Sequence, residues 1–373
     1  MTRQPPIEML ADPALLAVDR AMYELRRGRP VLVSDGDGLG ALALAAEMAT
    51  ESAIELLTRL GGTKPDLAIT HHRARTLKVP LYTDAVVLMP FPAWLTADAA
   101  RGVADPGSDL ANPMRGPFAV KRDPVSDAAL AAVQLAKNAR LLPAVVLVPV
   151  PAGFTQAADA GIVSVDAGAA LNFETHAAGA LRRVTSARVP LDGAENTRIH
   201  SFRSPEGGRE HLAIVIGDPP SDQPVLARLH SECFTGDLVG SLKCDCGQQL
   251  RGAIDQITEE GAGILLYLRQ EGRGIGLTNK LRAYALQDQG FDTVEANQRL
   301  GFESDERIFL PAASILRLLG FSRVRLMTNN PDKVAGLEEY DIEVVERVPH
   351  AFPSNDHNEF YLSVKRDKSG HLL

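Results

Sequence analysis

The chain has 373 residues, 45% of them hydrophobic, which is enough for two packed cores, and its three cysteines are too few for a disulfide-built scaffold. Its 47 Asp and Glu against 39 Lys and Arg leave a net charge of −8, which argues against a nucleic-acid partner but permits a local basic pocket. No apolar run reaches the roughly eighteen residues of a membrane span, and Met1 to Pro6 has no secretory apolar core, so the expectation is a cytoplasmic protein without membrane contact.

In chain order, Leu16, Ala21, Met22 and Leu25 form a helical stripe that ends at Gly28, and Pro30 to Ser34 reads as a strand. The Ala-rich stretch from about Leu42 to Leu60 predicts a helix. The adjacent pair His71 and His72 reads as a loop feature rather than a ligand set. Thr185 to Asn196 is polar and turn-rich, so the domain boundary is placed there, giving domains 1–190 and 191–373. Val225 to Arg228 and Gly263 to Arg269 are apolar runs bounded by turn formers and read as buried strands.

The second of these runs into the glycine-rich loop Gln270 to Gly276, then into a helix carrying Leu277, Leu281, Tyr284 and Ala285 that stops at Gly290. Such a loop is either an anion cradle, with Arg273, Lys280 and Arg282 adding positive charge, or an ordinary tight turn; its spacing matches neither dinucleotide nor Walker patterns. Further on come Thr293 to Asn297 and the charged pair Asp305 and Arg307. The strand Val324 to Met327 then leads to Thr328-Asn-Asn-Pro331-Asp-Lys333, where Pro331 opens a helix capped by Asn329 or Asn330. Lys333 in that first turn opposes the helix dipole, a cost that an anionic ligand would offset. The tail from Arg366 to Leu373 is polar and expected to be mobile, and no internal repeat is found.

The cysteines stand out. Cys233, Cys244 and Cys246 fall within fourteen positions, an arrangement expected by chance in on the order of half a per cent of chains, so they read as a metal site. Three thiolates leave a fourth tetrahedral position for water or substrate, as in catalytic zinc sites; the alternative is a structural site closed by His230.

With these motifs in place, the stretch from about Leu212 onward resembles GTP cyclohydrolase II, the enzyme that opens riboflavin biosynthesis. The resemblance rests on Pro224-Val-Leu-Ala-Arg228-Leu-His-Ser-Glu232-Cys233, Lys243-Cys244-Asp-Cys246-Gly-Gln-Gln249, Arg269-Gln-Glu271-Gly-Arg273-Gly-Ile-Gly, Ala283-Tyr284 to Gly290, Asp305-Glu-Arg307 and Thr328-Asn-Asn-Pro331 to Lys333. It implies zinc on Cys233, Cys244 and Cys246, magnesium with the triphosphate, and hydrolytic opening of the guanine imidazole ring of GTP with loss of formate and pyrophosphate. It implies Tyr284, Asp305 and Arg307 as catalytic. GTP contacts would come from Arg228, Leu229, His230, Ser231, Glu232, Gln249, Glu271, Gly272, Arg273, Thr293, Thr328 and Lys333. The family assigns Asp305 as proton acceptor and Arg307 as a nucleophile; because guanidinium stays protonated, transition-state stabilisation is an equal reading for Arg307. The family also implies a homodimer.

The first domain resembles 3,4-dihydroxy-2-butanone 4-phosphate synthase, often fused to this enzyme, in eroded form. Ser34-Asp-Gly-Asp-Gly-Leu-Gly-Ala41 keeps only Asp35 and Asp37 of an acidic metal-binding run, and Arg122-Asp-Pro-Val-Ser126-Asp127 stands where a histidine motif is expected, so no synthase activity is predicted. The overall expectation is a two-domain α/β (α+β) protein, a synthase-like domain followed by a mixed-sheet catalytic domain. Two alternatives stay beside it: a paralogue recruited to another nucleobase pathway, and a non-catalytic nucleotide-binding regulator.

Overall fold

The computed structural model describes residues 12–35, 38–92, 94–151, 153–353 and 370. Asp37, the start Met1 to Pro6 and, Gly370 apart, the tail Arg366 to Leu373 lie outside the described residues. Contacts divide the chain into two compact units that do not follow chain order: 12–173 with 278–306, and 174–277 with 307–353.

In the first unit, Asp12 caps the helix Pro13–Arg26 by accepting from the Ala14 N–H at 2.8 Å, with proline at the first helical position. The buried stripe is Leu15, Val18, Ala21, Met22 and Leu25; Leu16 is only half-buried, one position off the expected face. A six-stranded mixed sheet has the order β4-β3-β5-β2-β1-β6, formed by β1 (Val31–Ser34), β2 (Leu39–Ala45), β3 (Asp66–Thr70), β4 (Val86–Pro90), β5 (Ala144–Pro151) and β6 (Val163–Asp166).

The expected helix from Leu42 to Leu60 is corrected by this sheet. Leu42 to Ala45 belong to β2, a single 3-10 turn follows at Ala46–Met48, and the α-helix forms only at Glu51–Gly61, capped by Thr50. The Asp35 carboxylate accepts from the Leu39 N–H at 2.9 Å and closes a hairpin that pairs β2 with β1. With β5 on its other side, β2 is buried on both faces, and the alanines let the helix Asp127–Asn138 approach closely. Burial between two strands overrides alanine's helix propensity. His71 and His72 are not in a loop: they open the short helix His71–Thr76, capped by Thr70.

In the second unit, a seven-stranded mixed sheet has the order β13-β12-β10-β11-β9-β8-β7. Its strands are β7 (Arg182–Arg188), β8 (Thr197–Arg203), β9 (His211–Ile216), β10 (Val225–Ser231), β11 (Gly263–Leu268), β12 (Arg323–Met327) and β13 (Glu343–Val348). The polar stretch expected to separate two domains near 190 begins inside β7, an edge strand with all seven residues exposed, and the contact boundary falls at Phe173/Glu174. A solvated edge strand has the same composition as a linker.

The centre of this sheet positions the site. β10 pairs in parallel with both β11 and β12, so the three strands end on the same edge. The Cys233 turn follows β10, the Gln270–Gly276 loop follows β11, and Thr328 to Lys333 follow β12. The crevice beyond the carboxyl ends of parallel strands is where α/β sheets bind ligands.

Candidate active site

After β10 the chain makes one wide helical turn, Phe234–Leu238, and Cys246 opens the helix Cys246–Glu260. This brings the Cys233, Cys244 and Cys246 sulfurs within 4.8 Å of one another, with Cys233 Sγ 3.7 Å from Cys244 Sγ, too far for a disulfide. His230 is not in that group, which removes it as the closing ligand of a structural site. The Cys233 sulfur beside it pushes the Cys244 thiol up to about 11, and contact with Cys233 drives Cys246 well above its ordinary value. Three thiolates so close together need a cation to ionise together, so the donor set fits a soft divalent metal such as zinc.

The turn tolerates only glycine at its closest point. A Cβ on Gly236 would lie 2.8 Å from Cys244 Sγ, 2.9 Å from Cys246 Cβ and 3.1 Å from Cys233 Sγ. Gly236→Ala is therefore expected to weaken metal binding about tenfold to a hundredfold, the range for disturbing a metal's supporting contacts, read by competition with a chromogenic chelator. Unchanged affinity would mean that the turn relaxes around the methyl.

Asp237 ties the turn to the sheet. Its carboxylate accepts from the Cys233 N–H at 3.0 Å, from Tyr267 Oη at 2.9 Å and from His230 Nε2 at 3.0 Å, while the His230 and Tyr267 rings stack. Burial holds His230 below its ordinary pKa, opposed by Asp237, so the neutral ring donates through Nε2 and leaves Nδ1 buried without a partner among the described residues. Glu271 fastens the other side: its carboxylate accepts from the Phe234 N–H at 2.6 Å and the Gly272 N–H at 3.0 Å.

In the Gln270–Gly276 loop, Gly272, Arg273, Gly274 and Gly276 all have positive φ. The Gly272, Gly274, Ile275 and Gly276 N–H groups donate within the loop, to the Glu271 carboxylate or to the carbonyls of Gln270, Glu271 and Gly272. Those four amides are committed to the turn itself, which favours the tight-turn reading over an amide cradle. Arg273 takes φ +58, a left-handed conformation unusual for a side chain of its size.

A basic cluster lies at the ends of β10 and β12. Arg228 is buried, donates to the Met327 carbonyl at 2.8 Å and to Gln249 Oε1, and keeps Nε without a partner among the described residues. Gln249 in turn donates to Asp245. Burial pulls the Arg228 pKa down to about 10 against the pull of Asp245. Lys333, buried in the first turn of the helix Pro331–Glu338, donates to the Leu229 carbonyl at 2.7 Å, and Asn330 rather than Asn329 caps that helix. Thr328 Oγ1 accepts from the Asn330 N–H at 3.0 Å. At the entrance, Arg307 Nη1 lies 3.5 Å from Ser231 Oγ, and Glu232 pairs with Arg269 at 2.9 Å.

His350 supports this cluster from below. Its Nε2 donates to the Gln249 carbonyl at 2.9 Å, and burial, reinforced by Arg228, lowers its pKa to about 4. The unfolded chain therefore takes up a proton between pH 6.5 and 4 that the folded one refuses, so this contribution is intact above pH 6.5 and lost as pH falls toward 4. His350→Gln is expected to flatten the acid side of the stability profile by about 2 kcal/mol between pH 7 and 4.5, read from urea midpoints. An unchanged slope would assign the acid sensitivity elsewhere.

The cysteines, Arg228 to Glu232, Gln249, Glu271 to Arg273, Arg307, Thr328 and Lys333 thus gather in the second unit. Tyr284, Thr293 and Asp305 belong to the first. Lys280 Nζ lies 5.8 Å from the Tyr284 ring centroid, and Thr293 Oγ1 accepts from Gln287 at 3.1 Å at the start of the helix Thr293–Arg299. Gly236, Asp237, Tyr267 and His350 had no sequence-derived role.

The family model for GTP cyclohydrolase II matches residues 182–349. A GTP cyclohydrolase-2 from Azospirillum brasilense is 52% identical over 365 residues, which cover 96% of this chain and 94% of that protein. The chain belongs to the GTP cyclohydrolase II family. As a member it is a hydrolase, and the cysteine group is where such an enzyme could hold a metal. A GTP cyclohydrolase-2 from Escherichia coli O9:H4 (strain HS) is 55% identical over 193 residues, 52% of this chain and 98% of its own length. Among solved structures, a two-domain 3,4-dihydroxy-2-butanone 4-phosphate synthase from A. baumannii aligns over 90% of this chain and 99% of its own, at 16% identity and a TM-score of 0.36. Among the described residues of this GTP cyclohydrolase II family member, no helix is long and apolar enough to cross a membrane.

Proposed function

We propose that this hydrolase opens the guanine imidazole ring of GTP, releasing formate and pyrophosphate and giving 2,5-diamino-6-hydroxy-4-(5-phosphoribosylamino)pyrimidine, the first step of riboflavin biosynthesis. The observation that carries the reading is the three-cysteine group that follows β10, close to the buried cation Arg228 within β10, with the buried cation Lys333 in the helix that follows the parallel strand β12. Cys233, Cys244 and Cys246 would hold a zinc ion, which would supply Lewis acidity for the attack of water on guanine C8.

The protein's own groups account for the rest. Arg228, with Nε meeting no partner among the described residues, and Lys333 offset charge on the triphosphate oxygens, and magnesium would offset the remainder. Thr328 contributes a hydroxyl contact. Tyr284 and Asp305 take the proton-transfer roles carried over from the family. Arg307, a guanidinium, stabilises charge at the departing pyrophosphate rather than taking up the nucleotidyl group. Glu232, which pairs with Arg269, and Glu271, whose carboxylate accepts two backbone amides, are the two acids available to read the guanine edge.

The first domain, 1–190, is read as an inactive synthase-like domain: the Asp35 carboxylate closes the β1–β2 hairpin, a local structural use that leaves little for a metal site. The protein is read as a cytoplasmic homodimer with GTP as its small-molecule partner and with no nucleic-acid or membrane partner.

The deciding experiment incubates zinc-loaded protein with GTP and magnesium, with ribulose 5-phosphate in parallel, and follows products by mass spectrometry and ultraviolet absorbance. Formate, pyrophosphate and the diaminopyrimidine, with ribulose 5-phosphate untouched, support this reading. Intact GTP overturns it, and consumed ribulose 5-phosphate overturns the inactive first domain.

A further inference from the structure

The segment Thr278–Glu306 lies within the stretch matched by the family model, yet it packs with 12–173, which lie outside that match. Its two helices, Leu277–Gln287 and Thr293–Arg299, have 11 and 7 residues. Helices this short are marginal in water, so their order has to come from what they pack against.

The first unit supplies that packing at both ends of the segment. Near its start, Arg282 pairs with Glu47 at 2.7 Å, and the other Glu47 oxygen accepts from the Leu142 N–H at 2.8 Å, which fixes the carboxylate. Near its end, Lys137 pairs with Glu306 at 2.8 Å, and buried Thr70 donates to the Gly301 carbonyl at 2.7 Å. Gly301 has φ +90, and a Cβ there would sit 2.9 Å from both Pro143 Cγ and Thr70 Oγ1. The paired side chains are 24% and 16% exposed for Arg282 and Glu47, and 14% and 17% for Lys137 and Glu306, so these are shielded pairs rather than screened surface contacts.

From this juxtaposition we infer that residues 12–173 are a positioning scaffold for GTP turnover, holding in working order the segment that carries Tyr284, Thr293 and Asp305. The inference rests on the activity proposed above. It assigns the first domain a task in the reaction without any chemistry of its own. Glu47, Lys137 and Thr70 are positioning residues that act through the segment they hold.

The test uses the full-length, zinc-loaded chain as Glu47→Arg, Arg282→Glu and the double swap, with Glu47→Gln as the milder variant should Glu47→Arg fail to fold. Each is measured by hydrogen exchange over 278–306, zinc content, and kcat and KM for GTP. Each single charge reversal should speed exchange in that segment about tenfold and lower kcat at least about fivefold at unchanged zinc content, and the swap should recover only part of both, because an arginine at position 47 cannot accept from the Leu142 N–H and a glutamate at position 282 faces Asp105. A general loss of stability would instead speed exchange throughout the chain and lower zinc content. Unchanged exchange in 278–306 overturns the grip, and faster exchange with unchanged kcat overturns the positioning role. A wild-type chain that leaves GTP intact overturns the activity and this inference with it; that outcome is distinct, because exchange still reports the grip.

Discussion

Serine at position 244 is expected to abolish formate release from GTP, by about a thousandfold or more, because losing a Lewis-acid metal removes several kcal/mol of transition-state stabilisation. The hydroxyl of serine does not ionise near neutral pH, and the remaining sulfurs of Cys233 and Cys246 provide only two of the three soft ligands gathered within 4.8 Å. Zinc content by atomic spectroscopy should fall in parallel. On the proposed reading pyrophosphate release depends on Arg228 and Lys333, which this change does not touch, and should fall less. Equal loss of formate and pyrophosphate would contradict that division of labour between the sulfur cluster and the basic cluster.

Arg228→Met should lower kcat/KM for GTP by about a hundredfold while leaving the zinc content at the wild-type level. Removing one partner of a desolvated charge pair costs about 2–5 kcal/mol, and on the proposed reading the partner left without its cation is the anionic ligand. Burial has already pulled the guanidinium down to about 10, so the charge is poorly solvated before any ligand arrives. Without GTP the same substitution should lower stability by about 1–3 kcal/mol, because the Met327 carbonyl and Gln249 Oε1 lose their donor. Thermal denaturation with and without GTP and magnesium separates the two: wild type should gain more from the ligand than the variant. An equal ligand-induced shift would remove Arg228 from the phosphate site.

Much of the site could be read before any fold was known, for identifiable reasons. Cysteine is rare in this chain, so three in fourteen positions is informative by itself. The runs Val225 to Arg228 and Gly263 to Arg269 read as buried strands because both faces are covered, and β10 and β11 are indeed central. Misreadings came where composition serves two structures equally well. Alanine favours a helix, yet Leu42 to Ala45 form a strand once β1 and β5 flank them. The polar, turn-rich stretch at 185–196, where the domain boundary is placed, begins as the edge strand β7.

The supporting shell was illegible for a different reason. Asp237 gathers donors from Cys233, His230 and Tyr267, the last thirty positions away, and His350 reaches Gln249 over a separation of 101. No periodicity or spacing rule carries such pairings. Which oxygen of Glu271 meets which amide depends on how two loops fold over each other.

Residue types and local spacing alone determined the chemistry on offer: three soft thiolates, a set of cations for an anionic ligand, strands apolar enough to be central, and family membership. Tertiary structure alone decided which groups work together. It set His230 against Asp237 instead of among the metal ligands, committed the loop amides to their own turn, and placed Thr278–Glu306 with residues 12–173. Ligand identity is a property of single side chains and shows in the sequence, whereas hydrogen bonds and shielded ion pairs are properties of distance, such as the 235 positions that folding closes between Glu47 and Arg282.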